Sequence, residues 1–198
     1  MSTLEGESFR LTPRVVAAVL AVLLGILLAA CSNDSAENAA PRPPNETAAT
    51  EDAALDGSSL PPWPAPTDVG VRVASAGLDL GPMGMAEHYH PHLRIIIHGN
   101  EVQVPANIGV DPAIGAMSAL HTHEADGTIH IEADKAGEVF TLGQLFIQWG
   151  MKLTATQIGG VQAKDGQKVT LTSNGTPVSD DPTKLSLEPE QTIVLQLP

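Results

Sequence analysis

The chain has one cysteine, Cys31, in 198 residues. No internal disulfide can form, and a metal site built on several thiolates is closed to it. Basic side chains are also scarce: Lys and Arg number 10 against 23 Asp and Glu, for a formal net charge of −13. Such a balance argues against nucleic acid as a partner and is compatible with attracting cations. There is no Gly-x-Ser-x-Gly nucleophile signature and no phosphate loop. The apolar run at residues 15–30 is 16 residues long, short of the about 20 that a spanning helix needs.

That run has the flanks of an export signal. Arg10 and Arg14 precede it, and Leu28-Ala29-Ala30-Cys31 resembles the lipobox of bacterial lipoproteins. Residues 1–30 are read as a lipoprotein signal peptide and Cys31 as the acylated residue. The mature protein would then sit on the membrane's outer, extracytoplasmic face, held by its lipid anchor. Residues 31–66 carry Pro41, Pro43, Pro44, Pro61, Pro62, Pro64 and Pro66, with almost no large apolar residue before Trp63. They read as a disordered Pro/Ala-rich tether. Residues 67–198 are one domain, a length that supports one modest core and not two.

All seven histidines fall between His88 and His130. In His88-Tyr89-His90-Pro91-His92 three imidazoles stand two residues apart, so an extended segment projects them from one side. The strand continues through Leu93 to His98, turns at Gly99-Asn100 and returns through Glu101 to Val104. Alternation puts Leu93, Ile95, Ile97, Val102 and Val104 on one apolar face. His98 lies beside the turn and is read as solvated, outside any site.

The second group is Leu120-His121-Thr122-His123-Glu124-Ala125-Asp126-Gly127-Thr128-Ile129-His130-Ile131-Glu132. Asp126-Gly127 predicts a two-residue type I′ turn between β-prone arms. In that register His123 faces His130 and His121 faces Glu132. All four then share one face, while Leu120, Thr122, Ile129 and Ile131 share the other. Opposed Cβ atoms stand about 5 Å apart, a spacing at which imidazoles converge on one ion about 2.0 Å from each nitrogen.

Farther on, Thr141 with Gln144 three residues later reads as a capping box, and Gly150 as the residue that ends the helix. Leu142, Leu145, Phe146 and Trp149 follow helical spacing and predict a short amphipathic helix facing the core. Strands are expected over 168–172, 184–187 and 192–197, with a turn at Asn174-Gly175. The fold class is α+β, mostly antiparallel sheet with one short helix, β-grasp-like in its order of elements; a β-sandwich is the alternative.

His-x-His-x-His-Leu, then Pro105-Ala106-Asn107-Ile108-Gly109, Leu-His-Thr-His, Ile-His-Ile-Glu, Phe-Thr-Leu-Gly and Trp149-Gly150 together resemble a family of uncharacterised extracytoplasmic proteins of bacteria and archaea. The likeness covers residues 87–150 and implies a domain unit rather than a chemistry. This chain departs from it at Glu124, where the family commonly carries Asp.

Neutral imidazole suits zinc, copper, nickel and iron. The residues predict a zinc or copper ion on His121, His123, His130 and Glu132, with His88, His90 and His92 as added ligands, a second site or outer support. Met83 and Met85, two apart upstream, offer thioethers suited to Cu(I). The leading reading is a lipid-anchored metal carrier or chaperone. A competing one is an enzyme: three histidines and a water on Zn²⁺ form an open catalytic set, with Glu132, Glu124 or Glu87 as base of a hydratase or hydrolase. A third is a structural or partner-binding lipoprotein whose histidines sense pH.

Overall fold

Leu93, Ile95 and Ile97 alternate with His92, Arg94 and Ile96, and the buried set of this strand is the first three. That period-2 pattern seeds the main sheet of a computed structural model that describes Gly57 and residues 59–198. Residues 1–56 and 58, on which the expected signal peptide, Cys31 and most of the expected tether fall, lie outside the described residues. In chain order the elements are α1 (Val69–Ser75), β1 (Glu87–Tyr89), β2 (His92–Ile97), β3 (Asn100–Val102), β4 (Val110–Asp111), β5 (Ala116–Met117), β6 (Leu120–His121) and β7 (His130–Ala133). There follow α2 (Leu142–Trp149), β8 (Leu153–Thr154), β9 (Gln157–Ile158), β10 (Val161–Gln162), β11 (Thr170–Ser173), β12 (Thr176–Val178), a 3₁₀ turn (Pro182–Lys184) and β13 (Thr192–Leu197).

The main sheet has the order β12-β11-β13-β2-β3. Its one parallel pair is β2 with β13, the first and last strands of the sheet. With α2 lying in sequence between β3 and β11, this is a β-grasp strand order, and the class is α+β with mostly antiparallel pairing. The β-sandwich alternative is set aside.

Helix α2 forms as its local signals require. Thr141 accepts from the Gln144 backbone and the Gln144 side chain reaches back, while Gly150 adopts the left-handed conformation (φ 79°) that closes the helix. Leu142, Leu145, Phe146 and Trp149 are buried in one cluster with Leu93, Ile95, Ile193 and Leu195.

Three expectations need correction. The β2–β3 turn is His98-Gly99, both at positive φ (50° and 81°), so Ile97 pairs with Asn100. Both central residues of a type I′ turn need φ > 0. The slip relative to the expected Gly99-Asn100 turn is even, so the apolar face is unchanged. Residues 184–187 do not form a strand; the 3₁₀ turn, capped by Asp181, takes their first position, and Ser186 makes an isolated bridge to Thr141. Instead β12 pairs with β11 across Asn174-Gly175. It carries Pro177, which is tolerated because β12 is an edge strand.

Trp63, read as part of the tether, is 2% exposed and belongs to the core. Its ring meets Trp149 edge-on at 5.7 Å, and the Trp149 indole N–H donates to the Pro64 carbonyl at 3.0 Å. The packed domain therefore starts before residue 67. Proline composition concealed this, because prolines exclude helix and central strand but not docking on a core.

Candidate metal centre

A second sheet, ordered β1-β7-β6, joins a strand that precedes β2 to two strands that lie between β3 and α2. β7 is its centre, and alternation sends His130 and Glu132 to one face while Ile131 and Ala133 go to the core. β6 places His121 opposite His130. β1 places His88 opposite Glu132. Directly paired residues share a face, so His88, His121, His130 and Glu132 lie together across three strands, with His90 and His123 just past the strand ends.

The register differs from the one read in the sequence. His121 faces His130 rather than Glu132, and Leu120 faces Ile131. No two-residue hairpin forms at Asp126-Gly127, because the backbone of residues 122–129 is claimed from elsewhere. The Thr122 N–H donates to Ile108 O and its carbonyl accepts from Asn107 N. On the other arm Leu93 N donates to Gly127 O and Ile129 N to Pro91 O. The slide is again even, so every imidazole keeps its predicted face.

Two groups of side chains have ligand atoms all within 4.8 Å of one another: His121, His123, His130 and Glu132, and His88, His90 and His130. Four atoms bound to one ion at about 2.0–2.1 Å stand roughly 3.3 Å apart. The Nε2 atoms of His121 and His123 are 3.0 Å apart, and Glu132 Oε2 is 3.8 Å from His121 Nε2. The first group therefore fits a single ion with small adjustment.

His121 is fully buried, and its Nδ1 lies 2.7 Å from the Ser118 carbonyl. A carbonyl only accepts, so Nδ1 carries the proton and Nε2 presents its lone pair to the centre. Burial, and next the neighbouring His123 and His130, push its pKa down to about 4, against the pull of the Ser118 bond. At neutral pH it is an uncharged ligand. His90 is also held below the ordinary histidine value, by burial and then by His130 and His88.

Glu132 is 5% exposed, and among the described residues its ion-pair contacts are all to histidines: His88 at 3.3 Å, and His121 and His130 at 3.8 Å. With His121 neutral, this carboxylate has no permanent cation beside it. Burying an unpaired charge is costly. Glu132 Oε2 and His130 Nδ1 are buried and without a hydrogen-bond partner. A bound cation would satisfy both atoms, which is the fit the donor set requires.

The supporting residues were not legible beforehand. Ser118 gives His121 its carbonyl, and its hydroxyl accepts from the Leu120 N–H at 3.3 Å. Gln148 of α2 donates from Nε2 to Leu120 O at 3.0 Å and so ties the helix to β6. Gly109, at φ 72°, sits so close that a Cβ there would be 2.6 Å from Gln148 Oε1 and 2.7 Å from Leu120 O. Only glycine lets this loop approach His121. The Asn107-Ile108-Gly109 stretch carried that signal without saying what it packs against.

Other candidates stand apart. His92 is in neither group: the chain changes sheets at Pro91, so Tyr89 pairs with β7 while His92 pairs with Thr192 of β13. His98 is exposed at its turn. Glu124 is exposed, with Oε2 3.3 Å from His130 Nε2. Glu87 accepts from the Gly137 N–H at 2.8 Å. Met83 and Met85 are 49% and 83% exposed on the segment leading to β1.

Comparison with protein-family models and with curated proteins finds no match.

Proposed function

We propose that this protein is a lipid-anchored, extracytoplasmic carrier or chaperone of a divalent transition metal, zinc or copper, held by His121, His123, His130 and Glu132. The observation that carries the reading is the buried Glu132 carboxylate, flanked by imidazoles and with no Lys or Arg ion pair among the described residues. Three nitrogens and one carboxylate suit zinc or copper and fit magnesium or calcium poorly. Carriage is favoured over catalysis because four protein ligands complete a tetrahedral shell and leave no position for a reacting water. His123 is exposed, so the shell opens to solvent on one side, where an ion can be exchanged. Membrane attachment rests on the lipobox and Cys31, and outer-face placement follows from them.

The test is a titration of the full chain, purified without added metal or a histidine tag, with Zn²⁺ and Cu²⁺. His121→Ala, His123→Ala and His130→Ala should each weaken binding at least tenfold, and His98→Ala should leave it unchanged. Affinity that declines with the number of histidines removed, whichever they are, would show a loose histidine tract and end the reading.

A further inference from the structure

The centre contains more donors than one ion takes. Five imidazoles, of His88, His90, His121, His123 and His130, gather with one carboxylate in two overlapping groups. A tetrahedral zinc or copper shell uses four ligands. We propose that the centre holds two divalent transition-metal ions side by side, an inner one on His121 and His123 and an outer one on His88 and His90, with Glu132 bridging them and His130 between. The proposal rests on the metal-binding reading above and adds a second site to it.

The two oxygens of Glu132 face different groups. Oε2 lies 3.8 Å from His121 Nε2, while Oε1 lies 3.3 Å from His88 Nε2. A carboxylate set this way gives one oxygen to each of two ions, and paired ions in proteins stand about 3.5–4 Å apart. The imidazole pairs are alike: His88 and His90 bring their Nε2 atoms to 3.0 Å, as His121 and His123 do. His130 is common to both groups. Its ring stacks on His121 (centroids 5.4 Å, planes 14° apart) and meets His90 edge-on at 4.6 Å. The sheet explains the arrangement, since β7 supplies His130 and Glu132, while β6 and β1 each supply one histidine and the residues just past their ends, His123 and His90, supply the other. The His88 side chain is 58% exposed and that of His121 is 0%. Both shells open to solvent, the inner one only at His123, so the outer ion is the faster to exchange.

The experiment loads the metal-free full chain with Cu²⁺, removes excess by gel filtration, counts copper per chain and records the electron paramagnetic resonance signal. Two copper ions per chain are expected, with a signal well below that of two isolated ions because the bridge couples their spins. His88→Ala combined with His90→Ala, both at the sheet's exposed edge, should leave one copper per chain with its full signal. Glu132→Gln, which leaves one oxygen donor, should restore uncoupled signals and weaken the second ion at least tenfold. One copper at saturation in the unaltered chain overturns the second site and leaves the inner one standing. Two coppers that survive the double substitution, or two with a full uncoupled signal, also overturn it. A chain that retains no metal overturns the carrier reading as well.

Discussion

His121 shows how one side chain can be prepared for a metal by burial and a single backbone acceptor. Its folded pKa is lowered to about 4, against about 6.5 for an unfolded histidine. The unfolded chain thus takes up a proton at pH values where the folded chain does not. Stability present above about pH 6.5 is lost as pH falls through about 4, by roughly 3 kcal/mol from this group. In urea melts of the metal-free chain, His121→Asn should flatten the decline between pH 6.5 and 4 by that amount. Parallel pH profiles for the two proteins would contradict the assignment. Neither the buried state nor the Ser118 acceptor was legible in the sequence: the burial comes from residues packed around the ring, and the Ser118 bond, although only three residues away, depends on a bend of the 118–121 backbone that alternation does not specify.

At the scale of elements, parity survived where register did not. Both hairpins slid by an even step, so Leu93, Ile95 and Ile97 stayed in the core and His121, His123 and His130 stayed on one face. Helix α2 was legible to its ends because cap, periodicity and closing glycine are all local. Thr122 was not. Alternation put it on the apolar side of His121 and His123, yet its hydroxyl donates to Pro105 O at 2.9 Å and accepts from Ile108 N at 3.1 Å. Thr122→Val should therefore cost about 1–3 kcal/mol, the penalty for leaving buried polar groups unpaired. Thr122→Ser should retain most of the stability. Equal urea midpoints for the Val and Ser variants would show that those bonds do not hold the histidine segment in place.

For the whole molecule, the decisive difference lies at the start of the domain. Trp63 and Pro64 close the core over Trp149, although composition assigned them to a tether. Trp63→Ala in the full chain should cost about 3–5 kcal/mol, as removal of a buried large aromatic does. A chemical-denaturation midpoint unchanged by that substitution would return Trp63 to the tether.

The amino-acid sequence by itself determined which residues alternate, where helix α2 begins and ends, the α+β class, and which face carries His121, His123, His130 and Glu132. Each of these follows from periods of two or 3.6 residues and from caps that act within a turn or two. Only the tertiary structure decided that Thr122 bonds to the 105–108 loop, that β1 joins β7 and brings His88 opposite Glu132, and that His92 leaves for the main sheet at Pro91. The physical reason is competition for backbone N–H and C=O groups. Every one of them must be paired when buried, and partners far away in sequence outcompeted the nearest ones.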